Sequence, residues 1–345
     1  MKRLLLLLLI TFLLYLAITY VSSSVSNFDT KSYAEIGALT LAGKSIYPDP
    51  AISRHPYLPF FLYFEAGALA VSQFLNIPQI ILIKIVLSFF HLLSVYALYV
   101  LSKKNIKMTL LYALNPVSLF IIAFHGQFDI IPLTCILFAI IALQNKQFVK
   151  TVLLLAAAVT IKTWPVLFII PFFKRIPKKF WPLFVILPLF FLFLYSLLFH
   201  TSLFSIVRVL LVYQGVGGIW GLGKIFSLIS ANKIALLIYK VIFVLGVLIY
   251  SFRQKKTLIK EELLKLFLLF FIFTPGFGIQ WLVWFVPFLI LSKNPLARLL
   301  LIPITLCVGV VYLSWLFFFP FSNIAISLIF IITWIFFIGY SKVKR

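Results

Sequence analysis

The chain has 345 residues, 64% of them hydrophobic and 11% charged, with a mean hydropathy of +1.18. That composition excludes a soluble globular protein and predicts an all-α polytopic membrane protein, because lipid must be the solvent for most of its surface. The net charge of +23, from 30 basic against 7 acidic residues, would suggest nucleic acid in a soluble chain; here the bases cluster between apolar runs as topology determinants facing anionic lipid, so the bilayer is the expected partner and no nucleic acid is expected.

In chain order, Met1 to Tyr20 is apolar for a full span and has no small-residue cleavage site, which predicts a first transmembrane helix rather than a signal peptide. Next comes an outer loop, residues 22–77. Within it, Asp29 precedes "TKSYAEIGALTLAG", where Tyr33, Ile36, Gly37 and Thr40 recur at i, i+3, i+4, i+7 and Gly43 can end a helix. A second apolar run, 58–75, carries Glu65 near its centre. A charge at the bilayer midplane costs about 2.5 to 3.5 kcal/mol, and Glu65, Ser72 and Gln73 form one polar stripe. The run is therefore read as an interfacial or re-entrant helix, giving two amphipathic surface helices in the first outer loop.

Parity then organises the rest. If "MKR", "KKNIK" (103–107), Lys146 with Lys150, "KRIPKK" (174–179), "RQKKTLIKEELLK" (253–265), Lys293 with Arg298 and "KVKR" all face the cytoplasm, the segments between them must cross the membrane an even number of times. Residues 150–175 are too short for two ordinary spans and predict a broken hairpin with Lys162 and Pro165 at its tip, pointing at a site. Further spans are expected near 78–101, 108–124, 130–144, 181–199, 232–250, 263–275, 280–292, 299–318 and 323–340. The total is about 10–12 crossing segments in one domain, 1–345, with both termini cytoplasmic.

The outer surface then holds five of the seven acids: Asp29, Glu35, Asp49, Glu65 and Asp129. Glu261 and Glu262 are expected inside, as a solvated helix start. Asp29 reads equally as the N-cap of the surface helix or as a catalytic base, and Asp129 more as the cap of the helix starting at Ile130 than as chemistry. His125 reads first as an interfacial hydrogen-bonding residue, and the four scattered histidines lack metal-ligand spacing. Outer bases oppose the topology rule. Arg54, Lys162, Arg208 and Lys224 would be explained by an anionic ligand such as a phosphate, with snorkelling to head groups as the plain alternative for Arg208, Lys44 and Lys233. Both cysteines, Cys135 and Cys307, lie in apolar runs and read as packed thiols.

Outer carboxylates, phosphate-binding bases and the aromatic runs "GGIWG" and "GIQWLVWF" suit glycosyl transfer from a lipid phosphate. Taken in order, "FDTKSYAEIGALTLAGKSIYPD", "RHPYLPFFLYF", "LNPVSLFIIAFHGQFDII", "IKTWPVLFIIP" and "GIQWLVWFVPFLI" resemble the GT-C superfamily of polyprenyl-phosphate-sugar glycosyltransferases. Within it, the chain looks most like the catalytic subunit of the first glycosylphosphatidylinositol mannosyltransferase and its prokaryotic relatives.

The resemblance implies a GT-C-like fold and an inverting transferase. Its donor would be a polyprenyl-phosphate-linked sugar, by resemblance mannose, and its acceptor a glycolipid or glycan. It would work in a prokaryotic plasma membrane or the endoplasmic reticulum, with the site on the non-cytoplasmic side. It implies Asp29 as base with Glu35 second, and Asp129, Lys162, Gln280 and Trp281 at the substrate; beside them the outer bases Arg54 and Arg208, read from their charge, and His125 and Gln127 of "HGQFD", at the floor or wall of the sugar site, are expected as substrate-binding residues. The family often writes its first motif Asp-x-Asp, whereas "NFD" has Asn27 at the first position; that weakens any claim of a bound metal, and no other cofactor is implied. Family members typically carry longer chains, which leaves room for a small accessory membrane subunit. The rival classes are a secondary transporter or lipid flippase, for which no internal repeat is visible, and a non-catalytic membrane subunit.

Overall fold

The computed structural model describes residues 2–25, 27–47, 55–212, 216–217, 219–229, 233–317 and 323–343. Its helices, in chain order, are α1 (Lys2–Val21), α2 (Phe28–Leu41), α3 (Phe61–Leu75), α4 (Gln79–Leu101), α5 (Ile106–Ala113), α6 (Pro116–Ser118), α7 (Ile130–Gln144), α8 (Phe148–Ile161), α9 (Ile170–Phe173), α10 (Leu183–Leu198), α11 (Leu203–Val212), α12 (Gly221–Ile229), α13 (Lys233–Arg253), α14 (Ile259–Phe273), α15 (Val286–Leu291), α16 (Leu301–Phe317) and α17 (Asn323–Val343). The only strand pairing among the described residues joins Val216–Gly217 to Gly276–Phe277 antiparallel.

The chain is an all-helical, multi-pass membrane protein. Seven helical segments among the described residues are long and apolar enough to span: Lys2–Val21, Gln79–Leu101, Ile106–His125, Lys178–Leu198, Ile234–Arg253, Pro295–Ser314 and Ala325–Lys342. Phe61–Leu75, Ile130–Gln144, Phe148–Ile161 and Ile279–Leu291 are apolar but shorter. At 1.5 Å per residue a 15-residue helix such as α7 rises only about 22 Å against a hydrocarbon core of about 30 Å, so the spans expected at 130–144 and 280–292 form as short helices.

The residues fall into two compact units. One comprises Met1–Leu114, Ile121–Val166 and Ile176–Tyr213. Inside it α1 packs on α4, and two polar stripes face inward: Thr11, Tyr15, Thr19 and Ser22 on the α1 side, Lys84, Ser88, His91 and Ser94 on α4, all buried. In lipid the hydrophobic effect gives helices no reason to associate, so polar side chains that bond across or back to the backbone supply the adhesion. His91 stacks on Tyr15 at 4.6 Å and reaches the Ala113 carbonyl at 3.3 Å.

On α2, Ser32, Tyr33, Ile36 and Gly37 are buried, and Gly43 closes the turn after it at φ +68°. Its cap is Asn27. The Asn27 side chain accepts from Thr30 N at 2.9 Å while the Thr30 hydroxyl accepts from Asn27 N at 3.0 Å, a reciprocal capping box. α3 departs from expectation. Ser72 and Gln73 lie on its outer side, but Glu65 turns inward, 2% exposed and 3.6 Å from His55 Nδ1, so it belongs to the protein interior rather than to an interfacial polar stripe.

The second unit comprises Asn115–Phe120, Leu167–Arg175 and Gln214–Arg345. Trp220 stacks on Phe277 at 4.2 Å and donates its indole N–H to the Phe271 carbonyl. Glu261 and Glu262 are not the solvated helix start that the surrounding lysines suggest. Glu262 is buried in a bidentate pair with Arg175, at 2.5 and 3.0 Å, and Glu261 accepts from Lys293 N and Ser292 Oγ. A carboxylate with a guanidinium fork and backbone N–H donors is compensated well enough to be buried.

Candidate active site

The site is built where the segment after α5 ends. Ile106–Ala113 continues through Pro116–Ser118 into a π-helical turn, Leu119–His125, and single π turns recur at functional positions because they displace one residue from the regular ladder. Gly126 closes this turn at φ +87°, a conformation that favours glycine, with Gly126 N bonding to Ile122 O and Gln127 N to Ile121 O. The reversal lets two side chains only one residue apart converge on one acceptor.

That acceptor is Asp29, second residue of α2. His125 Nε2 lies 2.8 Å from Asp29 Oδ2 and Gln127 Nε2 donates to the same oxygen at 2.5 Å. An imidazole donating there carries its proton on Nε2. Both bonds use Oδ2, and among the described residues no hydrogen bond engages Oδ1, although the side chain is 31% exposed. The cap reading of Asp29 falls away, because Asn27 occupies the cap and leaves the Asp29 carboxylate available. Its place in the first turn also sets it in the favourable field of the helix N-terminus.

Beneath this lies a second pair. Lys162 ends α8 in extended conformation, as its place in the expected break requires, and its ammonium donates to Asp129 Oδ2 at 2.7 Å. The Lys162 ammonium also sits 4.4 Å from the Phe128 ring centroid and 4.9 Å from that of Tyr57. Asp129 is fully buried and makes no side-chain capping bond to α7, so the expectation that it caps Ile130 is corrected. The carboxylate turns to the ammonium because a buried charge gains more from an opposite charge than from a neutral N–H. Phe128 stacks on Phe61 at 3.7 Å, and Tyr57 meets it edge-on, so aromatic rings form the wall on this side.

Burial pushes the Asp29 carboxyl up, but the His125 hydrogen bond and charge, the Lys162 charge and the Gln127 hydrogen bond together hold it below its ordinary value. A depressed folded pKa contributes stability that is fully present above the unfolded value, about 3.9, and lost as the pH falls through the folded one. Thermal midpoints of wild type and Asp29→Asn, followed from pH 7 to pH 3, should therefore differ by a constant amount down to the unfolded value and by progressively less below it. A gap that stays constant to pH 3 would contradict this origin.

The other expected residues are distributed as follows. Glu35 is exposed on α2, six residues beyond Asp29. Arg208 is exposed on α11, and Arg54 and Asp49 fall outside the described residues. In the second unit, Gln280 is half-buried beside Gly278, Trp281 is buried and stacked on Trp284 at 5.3 Å, and Lys224 is half-buried on α12. Sequence reasoning missed the Asn27 cap, although Asn followed three residues later by Thr signals it. It also missed the buried Lys84. A lysine inside an apolar run is itself a signal.

Among the described residues no three His, Cys, Asp or Glu side chains come together as a metal site. A surface groove of about 770 Å³ elsewhere in the unit, lined by Lys146, Lys150, Phe148 and Phe180 among others, carries no carboxylate and so offers no base. No protein-family model matches the chain, and no curated protein matches it in sequence.

Proposed function

We propose that the chain is a membrane hexosyltransferase of GT-C type. It moves a sugar, read as mannose from the family resemblance, from a polyprenyl-phosphate carrier to a lipid-linked or glycan acceptor on the non-cytoplasmic face. The observation that carries this reading is the Asp29 carboxylate, with Oδ2 clamped by His125 and Gln127 while Oδ1 stays outside the clamp. In that geometry Oδ1 takes the proton of an acceptor hydroxyl as its oxygen attacks the anomeric carbon. The bond from that carbon to the phosphate oxygen breaks, and polyprenyl phosphate leaves with the electron pair. A single displacement inverts the anomeric centre.

The depressed Asp29 pKa keeps the base ionised at neutral pH. Tyr57, half-buried and packed edge-on against the buried Phe128, offers a ring suited to a sugar, and Lys162 supplies positive charge close to the carboxylate. The basic clusters between the apolar runs, by the positive-inside rule, support reading the α2 side as the non-cytoplasmic face.

The test is release of free polyprenyl phosphate or of nucleotide by purified protein in lipid, offered a panel of polyprenyl-phosphate sugars and nucleotide sugars. Release from one lipid-linked sugar is expected, and none from nucleotide sugars. No release from any donor would move the reading to the competing class, a secondary transporter or lipid flippase, which the buried Lys84 and His91 on a span favour.

A further inference from the structure

Three consecutive carbonyls, those of Phe124, His125 and Gly126, each accept a hydrogen bond from a side chain of a different part of the first unit. Lys84 Nζ donates to Phe124 O at 2.6 Å, Asn27 Nδ2 to His125 O at 3.3 Å, and the Tyr33 hydroxyl to Gly126 O at 3.1 Å. These carbonyls end the π-helical turn, where a helix leaves acceptors without intrahelical donors. They belong to the segment that carries both donors of the Asp29 clamp.

Lys84 is the strongest of the three. It is fully buried within α4, and its other bonds go to Ser22 Oγ at 2.8 Å and Ser22 O at 3.3 Å, while Ser22 Oγ donates on to Ile18 O at 2.6 Å. The ammonium thus ties the end of α1 to the backbone just before His125. Its stem runs directly under Gly126, where a Cβ would come within 3.2 Å of Lys84 Cε and 3.3 Å of Ile80 Cδ1. An ammonium in a span is costly, and helix packing alone would be served as well by an apolar side chain. What an apolar side chain cannot supply is a charge-assisted bond to a main-chain carbonyl, about twice as strong as a neutral one.

We infer that Lys84 is a positioning residue for the Asp29 clamp: it fixes the Phe124–Gln127 backbone so that His125 and Gln127 reach the same carboxylate oxygen. It touches neither Asp29 nor the reacting atoms. Its catalytic consequence rests on the function proposed above, whereas its structural consequence does not.

The experiment is performed on full-length protein in nanodiscs with ring-¹⁵N histidine, the His125 signals being assigned through His125→Asn. In Lys84→Met the His125 ring is expected to lose its hydrogen-bonded signature and move to that of a free imidazole, while His200 stays put. With the lipid-phosphate donor, kcat should fall about 10-fold or more while KM stays within about twofold, since displaced catalytic groups cost rate rather than binding. A folded Lys84→Met protein with wild-type His125 signals would overturn the inference. If Lys84→Met does not fold, Ser22→Ala keeps the cation and removes one acceptor. A smaller displacement of His125 in the same direction supports the inference, and an unmoved ring overturns it. Should wild type transfer from no donor, the proposed function fails while the His125 signals still decide the role of Lys84.

Discussion

Asp29→Asn should lower polyprenyl-phosphate release by at least about 100-fold, with expression and oligomeric behaviour unchanged. The range for loss of a positioned general base is roughly 10²- to 10⁴-fold. Asn keeps the shape of Asp and can still meet a hydrogen-bonding partner at the clamped position, so the segment from His125 to Gln127 is held while the proton acceptor is lost. The fold should survive, because α2 is capped by Asn27 and Thr30 and not by Asp29. The decisive comparison is Glu35→Gln. Glu35 is exposed on α2, so its substitution should leave the rate within about twofold. Equal loss in both variants, or a fully active Asp29→Asn, would remove Asp29 as base.

Lys162→Met should destabilise the protein by about 3 to 5 kcal/mol, the usual cost of removing one partner from a buried ion pair. Asp129 is fully buried, and its partner's ammonium at 2.7 Å is also held over two aromatic rings. Pairing the change with Asp129→Leu replaces both charges by apolar side chains and should recover most of the loss, because a removed pair costs far less than a broken one. Thermal unfolding in the same nanodiscs reads both variants. If the single variant unfolds with the wild type, the pair is not the buried support described. Activity separates a second role: a double variant that is stable but slow would mean that the Lys162 charge, which helps to hold the Asp29 carboxyl down, also serves the reaction.

Hydropathy, readable in one dimension, determined the membrane class and the seven helices that, among the described residues, are long and apolar enough to span, because the bilayer selects for composition over about 20 residues regardless of what packs against it. The break at Lys162 was legible too, since a lysine and a proline within an apolar run cannot continue a helix comfortably.

What each acid does was decided only in three dimensions. Asp29 reads equally as a helix cap or a base and Asp129 first as a cap, because a cap depends on residues within a few positions. Yet Asn27 takes the cap of α2, and Lys162, 33 residues away, takes the Asp129 carboxylate. Glu262 looked solvated among lysines until Arg175 was brought to it from 87 residues away, and Glu65 looked interfacial until the packing of α3 buried it beside His55. The clamp on Asp29 needs a glycine turn, a π-helical displacement and a lysine from another helix to meet at one point. Sequence spacing records none of these distances, because a buried charge is compensated by whichever partner tertiary packing delivers.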